Sequence, residues 1–404
     1  MADPVSAENP RRARPAWLAA ALLGLVIAIS WFWWNPGREG RPYTPGRRTF
    51  DGPTEGLTRT AVLPTLDTPI PEGMSAVWCA SFEVAWKEFG SKVVRGPVRV
   101  RNAEEVAERL NRSRVSVNDL PPGSFYAAAG LKNEGIVDTI RAEMSRRFPG
   151  APPPEIAPGG DPAGAVAFAY LRTSLRFPIP YFENREPLPF KDAAGTTTLV
   201  SSFGIRPADA DGYDRLRRQA AVLFCDDFPP DGPPPGRYGL DLCADSPTDQ
   251  LILARIDRPV TLADALAAFR ARVASSPLTK YQRRLATNDT LLAPDLNWRV
   301  CHHFRDLEGP DRLLVASPSP GLYLKTARQW IEFRLDRGGA ELGSESMIET
   351  KSLPPRHFHF DRPFLIVLSR RGAANPYFVM WVENAELLGR FPAAHAAEGI
   401  ILPP

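Results

Sequence analysis

The chain has 404 residues with 49 basic and 46 acidic side chains, and 44% of its residues are hydrophobic. This composition is typical of a globular protein with room for one large domain or two ordinary ones. A net charge of only +3 excludes the basic surplus found in nucleic-acid-binding proteins, so no nucleic-acid partner is predicted.

The first feature along the chain is an uncharged apolar run of 18 residues, Trp17–Trp34. At about 1.5 Å per residue it is just long enough to cross a bilayer. Arg11, Arg12 and Arg14 precede it, and such charges favour the cytoplasmic side. We therefore predict a cytoplasmic tail over residues 1–15 and a transmembrane helix over 16–34, with the lipid bilayer as partner. The predicted protein is single-pass, with an extracytoplasmic (periplasmic or extracellular) main domain. The alternative is a cleaved signal peptide, but this run ends without a small-x-small cleavage site.

Residues 35–72 are rich in Pro, Gly, Arg and Thr and have almost no apolar periodicity. Such a segment predicts a stalk, with the folded domain over residues 73–404. Four cysteines are spread along that domain, and an even number in an oxidising compartment permits disulfides. Cys225 and Cys243 are the candidate pair by proximity in sequence, and four free, buried thiols are the alternative.

Helical periodicity is found mainly early in the domain and strand-like runs mainly late. Helices are predicted at Trp78–Phe89, Glu104–Leu110 and Asn133–Phe148, and another begins at Thr261, where Asp264 has capping-box-like spacing. Early helices and late strands indicate an α+β class. The strand-like runs are Ala165–Leu171, Thr196–Phe203, Leu251–Ile256, Leu313–Ala316, Trp330–Leu335, Phe364–Ser369 and Tyr377–Val382.

Common catalytic and cofactor motifs are absent from the sequence. There is no Walker loop, dinucleotide fingerprint, HExxH, CxxC or GxSxG motif, so no cofactor is predicted. His302, His303, His357 and His359 cluster in sequence beside Cys301. Adjacent residues on a strand point to opposite faces, so His302 and His303 rarely serve one ion, and no metal site is predicted. No local geometry argues for a Ser/His/Asp hydrolase, and the chain is not predicted to be an enzyme.

The most informative segment is the connection between the strands at Trp330–Leu335 and Phe364–Ser369. A connection this long is uncommon inside a domain and is usually functional. From residue 340 to 352 the even-numbered positions are small or apolar, whereas the odd-numbered positions hold all four charges. Period two is typical of a strand with one buried face, so the loop is patterned to enter a sheet. The alternative is a surface loop or an ordinary edge strand that alternates by chance.

Segments on both sides of this loop resemble motifs of the serpin family of serine protease inhibitors. Arg337-Gly-Gly-Ala-Glu341 is similar to the serpin hinge, which commonly reads Glu-x-Gly-Thr-Glu. The order and spacing of the similar segments agree over about residues 165–388. Arg337, Leu342 and Met380 depart from the family pattern, and the family's early Ser-Pro motif does not occur between residues 74 and 130. The other similar segments are Thr173–Phe182, Ala293–Trp298, Phe360–Val367 and Phe378–Asn384.

The resemblance implies several helices around large mixed or antiparallel sheets, with an exposed reactive-centre loop near residues 339–355. In serpins a target protease cleaves this loop, which then enters a sheet as a new strand. The family spacing puts the scissile bond between Leu353 and Pro354, with Lys351–Ser352 as an alternative for a trypsin-like enzyme. The implied hinge is Arg337, Gly338, Gly339, Ala340, Glu341 and Leu342, and the implied inserting face is Ser344, Ser346, Ile348 and Thr350.

Two functions are compatible with this resemblance. The first is membrane-anchored inhibition of an extracytoplasmic serine (or cysteine) protease by loop cleavage and insertion. The second is a non-inhibitory binding or scaffold module at the membrane surface, which the departures at Arg337 and Leu342 favour.

Overall fold

The computed structural model describes residues 48–156, 164–173, 175, 177–206, 213–226, 236–315, 322–337 and 356–392. All of them belong to one unit, Gly46–Pro404. The predicted tail over residues 1–15 and the predicted transmembrane helix over 16–34 lie outside the described residues.

The structure does not support the predicted single-pass membrane localisation or the predicted bilayer partner. Within the described residues, no helix combines the length and apolar character needed to cross a membrane.

Five α-helices occur among the described residues. The longest is α5, which begins after Thr261, where the Thr261 and Asp264 side chains each accept the other's backbone N–H. This reciprocal capping box confirms the predicted helix start. The helices are α1 (Ser81–Phe89), α2 (Glu104–Asn111), α3 (Ile136–Arg147), α4 (Tyr213–Gln219) and α5 (Leu262–Ser275).

The strands are short and numerous, as expected for an α+β fold. The first ten are β1 (Phe50–Pro53), β2 (Thr60–Val62), β3 (Ser75–Cys79), β4 (Arg99–Val100), β5 (Phe125–Leu131), β6 (Ala165–Leu171), β7 (Phe182–Glu183), β8 (Leu188–Lys191), β9 (Thr197–Val200) and β10 (Ser202–Ile205). The others are β11 (Ala221–Cys225), β12 (Tyr238–Asp241), β13 (Asp249–Arg255), β14 (Thr290–Pro294), β15 (Leu296–His303), β16 (Leu314–Val315), β17 (Arg328–Leu335), β18 (His357–His359), β19 (Phe364–Arg370) and β20 (Phe378–Val382).

A seven-stranded sheet forms the centre of the fold, in the order β11-β12-β13-β19-β20-β3-β2. Its inner strands are continuous apolar runs: every residue of β3 and of β20 is buried. Strands buried on both faces carry such runs instead of alternating patterns. Three of the largest fully buried side chains are Trp78, Trp298 and Trp381.

The other sheets are smaller and include mixed pairings. A four-stranded sheet has the order β18-β14-β10-β7, and its β14–β18 pair is parallel. A three-stranded sheet has the order β1-β15-β17, in which β15 and β17 are antiparallel over eight residue pairs. Strands β5 and β6, β8 and β9, and β4 and β16 form three antiparallel pairs.

The folded region begins earlier than predicted, within the segment over residues 35–72 that was expected to be a stalk. Strand β1 pairs with β15 and strand β2 pairs with β3, both in parallel. The Glu386 carboxylate also accepts hydrogen bonds from the backbone N–H groups of Thr58 and Arg59 and from the Thr60 hydroxyl. Residues 50–72 are therefore part of the domain, and only the earlier part of the predicted stalk lies outside the described residues.

Candidate functional site

The predicted loop falls between two described residues, Arg337 and Arg356. The other predicted hinge residues, the predicted inserting face and all four residues of the predicted reactive bond lie outside the described residues. The structure therefore defines where the loop begins, where it ends and what surrounds those two points. The residues outside are Gly338, Gly339, Ala340, Glu341, Leu342, Ser344, Ser346, Ile348, Thr350, Lys351, Ser352, Leu353 and Pro354.

The loop begins at the end of β17, where Arg337 is held by two neighbours. Its guanidinium donates to the Glu183 carboxylate at 3.0 Å, and its backbone oxygen accepts from the Tyr181 N–H at 3.1 Å. Glu183 belongs to β7 of the four-stranded sheet, so Arg337, which follows β17, links that sheet to the three-stranded sheet. The arginine that departs from the family pattern thus has a specific ionic partner.

Three acidic side chains, Asp295, Asp336 and Glu183, lie near Arg337. Burial and the negative charges of Asp336 and Glu183 together raise the pKa of Asp295 to about 7, while Arg337 opposes the shift. The backbone N–H of Asp295 donates to Ser201, and its backbone oxygen accepts from Gly389. Asp295, the single residue between β14 and β15, is therefore held in place by two backbone hydrogen bonds.

The loop ends at Arg356, which is buried in an ion pair that the sequence analysis did not identify. Its Nε donates to Asp289 Oδ2 at 2.7 Å, and its backbone N–H donates to Asp289 Oδ1 at 2.8 Å. Its other guanidinium nitrogens donate to the backbone oxygens of Gln282 and Arg284. The side chains of Arg356 and Asp289 are only 6% and 0% exposed. Breaking such a buried pair is costly, so this end of the loop is firmly anchored.

Strands β6 and β17 belong to two different sheets, and both pack against one helix, α1; we term this region the β6–β17 boundary. Among the described residues, β6 pairs only with β5, and β17 pairs only with β15. Helix α1 packs against β5, β6 and β17. Burial raises the pKa of Tyr170 on β6, and the charge of Glu332 on β17 contributes to the rise.

One face of β6 carries small side chains, and its other face is covered by α3. Alternate residues of β6, including Ala167 and Ala169, pack towards the main core, whereas Phe168 and Tyr170 pack in a cluster with α3. On β17, Gln329 Nε2 donates to Ser81 Oγ at 2.8 Å and to the Cys79 backbone oxygen at 3.0 Å. Gln329 thereby fixes β17 to the start of α1.

The predicted disulfide between Cys225 and Cys243 does not form, and all four cysteines are free and buried. Cys225 pairs with Tyr238 at one end of β12, whereas Cys243 follows Asp241 at the other end. The extended strand between those two ends, Tyr238–Asp241, spans roughly 10 Å, more than the Cα separation that a disulfide allows. Burial and the neighbouring Asp241 also raise the pKa of the Cys243 thiol far above its usual value.

The four described histidines form two separate groups. His302 Nδ1 shares a hydrogen bond with the Thr54 hydroxyl, and His303 Nδ1 contacts the Glu308 carboxylate at 2.9 Å. His357 and His359 both contact the hydroxyl of Thr290. The described residues contain no group of three or more side chains arranged to hold a metal ion.

No protein-family model and no curated protein matches the sequence. The solved structures to which the chain is similar include several serpins. The serpin Serpin48 of the insect Tenebrio molitor is 10% identical, with a TM-score of 0.44 over 77% of this chain and 92% of that one. The thermophilic serpin tengpin in its native state is 9% identical, with a TM-score of 0.46 over 78% and 90%. Human thyroxine-binding globulin, solved in complex with its hormone, is 11% identical, with a TM-score of 0.45 over 78% and 93%.

Proposed function

We propose that this chain is a serpin-like inhibitor, not an enzyme, and that it acts as a suicide substrate for a serine (or cysteine) protease. The observation that carries the proposal is the β6–β17 boundary. Two strand edges without sheet partners among the described residues lie over one helix, and the alternating loop leaves directly from the end of β17.

A strand that turns back directly after β17 would run antiparallel to it, as a hairpin strand does. Residues of one parity would then face α1 and the core. The even-numbered positions from 340 to 352 are uncharged, which suits this face because burying an unpaired charge costs several kcal/mol. The charged odd-numbered positions would face outwards.

The two ends of the loop explain why cleavage would be required. The C-terminal end is held by the buried Arg356–Asp289 pair, so an intact loop is tethered at both ends. The protease nucleophile would attack the carbonyl carbon of Leu353, or of Lys351, forming an acyl-enzyme and releasing the following residue as a new amino terminus. The N-terminal part of the loop is then free to insert, with the protease still attached.

Limited cleavage of the full chain tests this proposal. Trypsin would be used to nick the loop after Lys351, with the site confirmed by mass spectrometry, and the melting temperature measured before and after. Insertion of a new strand is expected to raise the melting temperature by tens of degrees. An unchanged melting temperature would contradict insertion.

Two matched variants make the test specific to the pattern of the loop. Ser346→Glu places a charge on the proposed inserting face, and Met347→Glu places the same charge one residue later on the opposite face. We expect the rise in melting temperature to be lost in the first variant and retained in the second. Equal behaviour of the two variants would argue against strand insertion.

A non-inhibitory binding module remains the second candidate, because the hinge is held in place. Arg337 pairs with Glu183 and its backbone oxygen accepts from Tyr181, so insertion from this point has contacts to break. For this candidate we expect ready cleavage of the loop, no rise in melting temperature and no covalent complex with the protease on denaturing gels.

A further inference from the structure

Two histidines directly after the loop form a small cluster that the proposed function does not use. His357 and His359 are two residues apart on β18, so both side chains leave the same face of the strand. Their nitrogens converge on one atom: His357 Nδ1 lies 2.8 Å and His359 Nε2 lies 2.9 Å from the Thr290 hydroxyl oxygen. His357 is exposed, so the cluster opens to solvent.

We propose that His357 Nδ1 and His359 Nε2 bind a divalent transition-metal ion such as Zn²⁺, with water completing its coordination. The two ring centres are 5.6 Å apart with an interplanar angle of 58°. Two imidazoles on one tetrahedral zinc ion, with nitrogen–zinc bonds of about 2.0–2.1 Å, have ring centres roughly 5 Å apart. The rings therefore need only a small adjustment to share an ion.

The backbone around the pair is rigid, which favours a preformed site. Strand β18 pairs in parallel with β14, where Thr290 lies opposite His357 and Leu292 opposite His359. The Tyr238 hydroxyl donates to the His359 backbone oxygen at 2.5 Å. Arg356, the residue before β18, is anchored by its buried ion pair with Asp289.

The protonation states needed for binding are accessible. The Thr290 hydroxyl has one hydrogen, so it can donate to one imidazole and accept an N–H from the other. A metal ion needs a lone pair from both nitrogens, so the ring that donates to Thr290 must shift its proton to its other nitrogen.

A nearby positive charge opposes the site and provides a way to test it. The positive charge of Arg206 acts on the His359 imidazole. The Arg206 guanidinium is also bonded to Asn184 and lies 3.4 Å from the Glu186 carboxylate. With two protein ligands and a cation nearby, binding should be weaker than at a four-ligand structural zinc site.

Calorimetric titration of the full chain with ZnCl₂ at pH 7.5 tests the proposal, and it does not depend on any protease. We expect one site in the wild type and at least about tenfold weaker binding in His357→Gln and in His359→Gln, because even outer-shell changes cost about 10–100-fold. His303→Gln is the matched control and should bind as the wild type does. Melting temperatures without zinc show whether each variant is folded.

Two further variants keep the test decisive if a histidine variant does not fold. Arg206→Gln removes the like charge and should tighten zinc binding, and Thr290→Val removes the bridging hydroxyl but leaves both imidazoles, so binding should persist. The proposal would be overturned if the wild type does not bind zinc, if both histidine variants bind zinc as the wild type does, or if Arg206→Gln leaves binding unaffected. Loss of zinc binding in Thr290→Val would also overturn it.

Discussion

At the scale of single residues, the most unusual environment is that of Glu83 on α1. Its side chain is buried, with the residue only 2% exposed. The Trp78 indole N–H donates to its carboxyl at 2.8 Å, and the Ser113 hydroxyl is also bonded to it. Burial outweighs these bonds and raises the pKa of Glu83 to about 7. The protonated form is therefore favoured in the folded protein below about pH 7.

This shift predicts that Glu83→Gln weakens the pH dependence of stability. Because the pKa rises from 4.5 in the reference state to about 7 on folding, the folded state binds more protons between these values. The free energy of unfolding therefore falls as the pH rises through this window, by roughly 3 kcal/mol for this group. Glutamine keeps an acceptor for Trp78 but does not ionise. Urea unfolding midpoints at pH 5 and pH 7.5 should thus differ less in the variant than in the wild type.

The pKa of Asp295 is also raised to about 7, so the wild-type slope should decrease in Glu83→Gln without disappearing. Asp295→Asn serves as the companion variant and should decrease the slope by itself. An unchanged slope in Glu83→Gln would show that the carboxyl is already ionised across this range.

At the scale of secondary-structure elements, the pairing of β10 with β14 depends on one glycine. Gly204 lies opposite Leu292 in this antiparallel pair. A Cβ added at Gly204 would overlap the backbone oxygen of Leu291 and would lie 2.6 Å from its carbonyl carbon. Backbone atoms in a paired strand cannot move aside as a flexible side chain can, so only glycine fits.

We therefore expect Gly204→Ala to destabilise the protein by about 1–3 kcal/mol or more, as overpacking does. Gly96→Ala is the matched control, because a Cβ there has no neighbour within 4 Å. Urea unfolding followed by circular dichroism would compare the two variants. A midpoint for Gly204→Ala close to that of Gly96→Ala would mean that β10 and β14 separate at little cost.

Elements with a strong local pattern were predicted well from the sequence, and those that depend on distant partners were not. The capping box at Thr261 and the apolar runs of β19 and β20 identified their elements directly. The stripe from Trp78 was assigned wholly to a helix, but Trp78 belongs to β3 and the helix begins at Ser81. An apolar run that is buried on all sides has no period that distinguishes a strand from a helix.

Strands β1 and β2 were missed for a different reason. Each has three or four residues, which is too short for a detectable alternation, and their partners β15 and β3 supply the pairing. The anchor at Arg356 was missed because its partner Asp289 is 67 residues away and nothing in either local sequence connects them. In contrast, the alternation of charged and uncharged residues in the loop after β17 could be recognised from the sequence, because a two-residue period is a local property.

At the scale of the whole molecule, the essential feature is that β6 and β17 belong to different sheets but share α1. Among the described residues the five strands β5, β6, β1, β15 and β17 form one two-stranded and one three-stranded sheet. A strand between β6 and β17 could hydrogen-bond to both edges and join them into one sheet. The backbone groups on those edges would then be satisfied by the protein, which stabilises the whole domain.

A free peptide with the sequence of residues 340–352 should therefore bind the uncleaved full chain and raise its melting temperature. The peptide has uncharged side chains at every even-numbered position, which would face α1. Ligands that bind only the folded state stabilise it by RT ln(1 + [L]/Kd), which is about 2.7 kcal/mol at 100 times Kd. The rise in melting temperature should therefore increase with peptide concentration.

A control peptide with glutamate in place of Ser344, Ser346 and Thr350 should have no effect, because three charges would be buried. When the peptide is bound, cleavage of the protein's own loop should no longer raise the melting temperature. If both peptides act equally, or neither does, the β6–β17 boundary does not accept a strand.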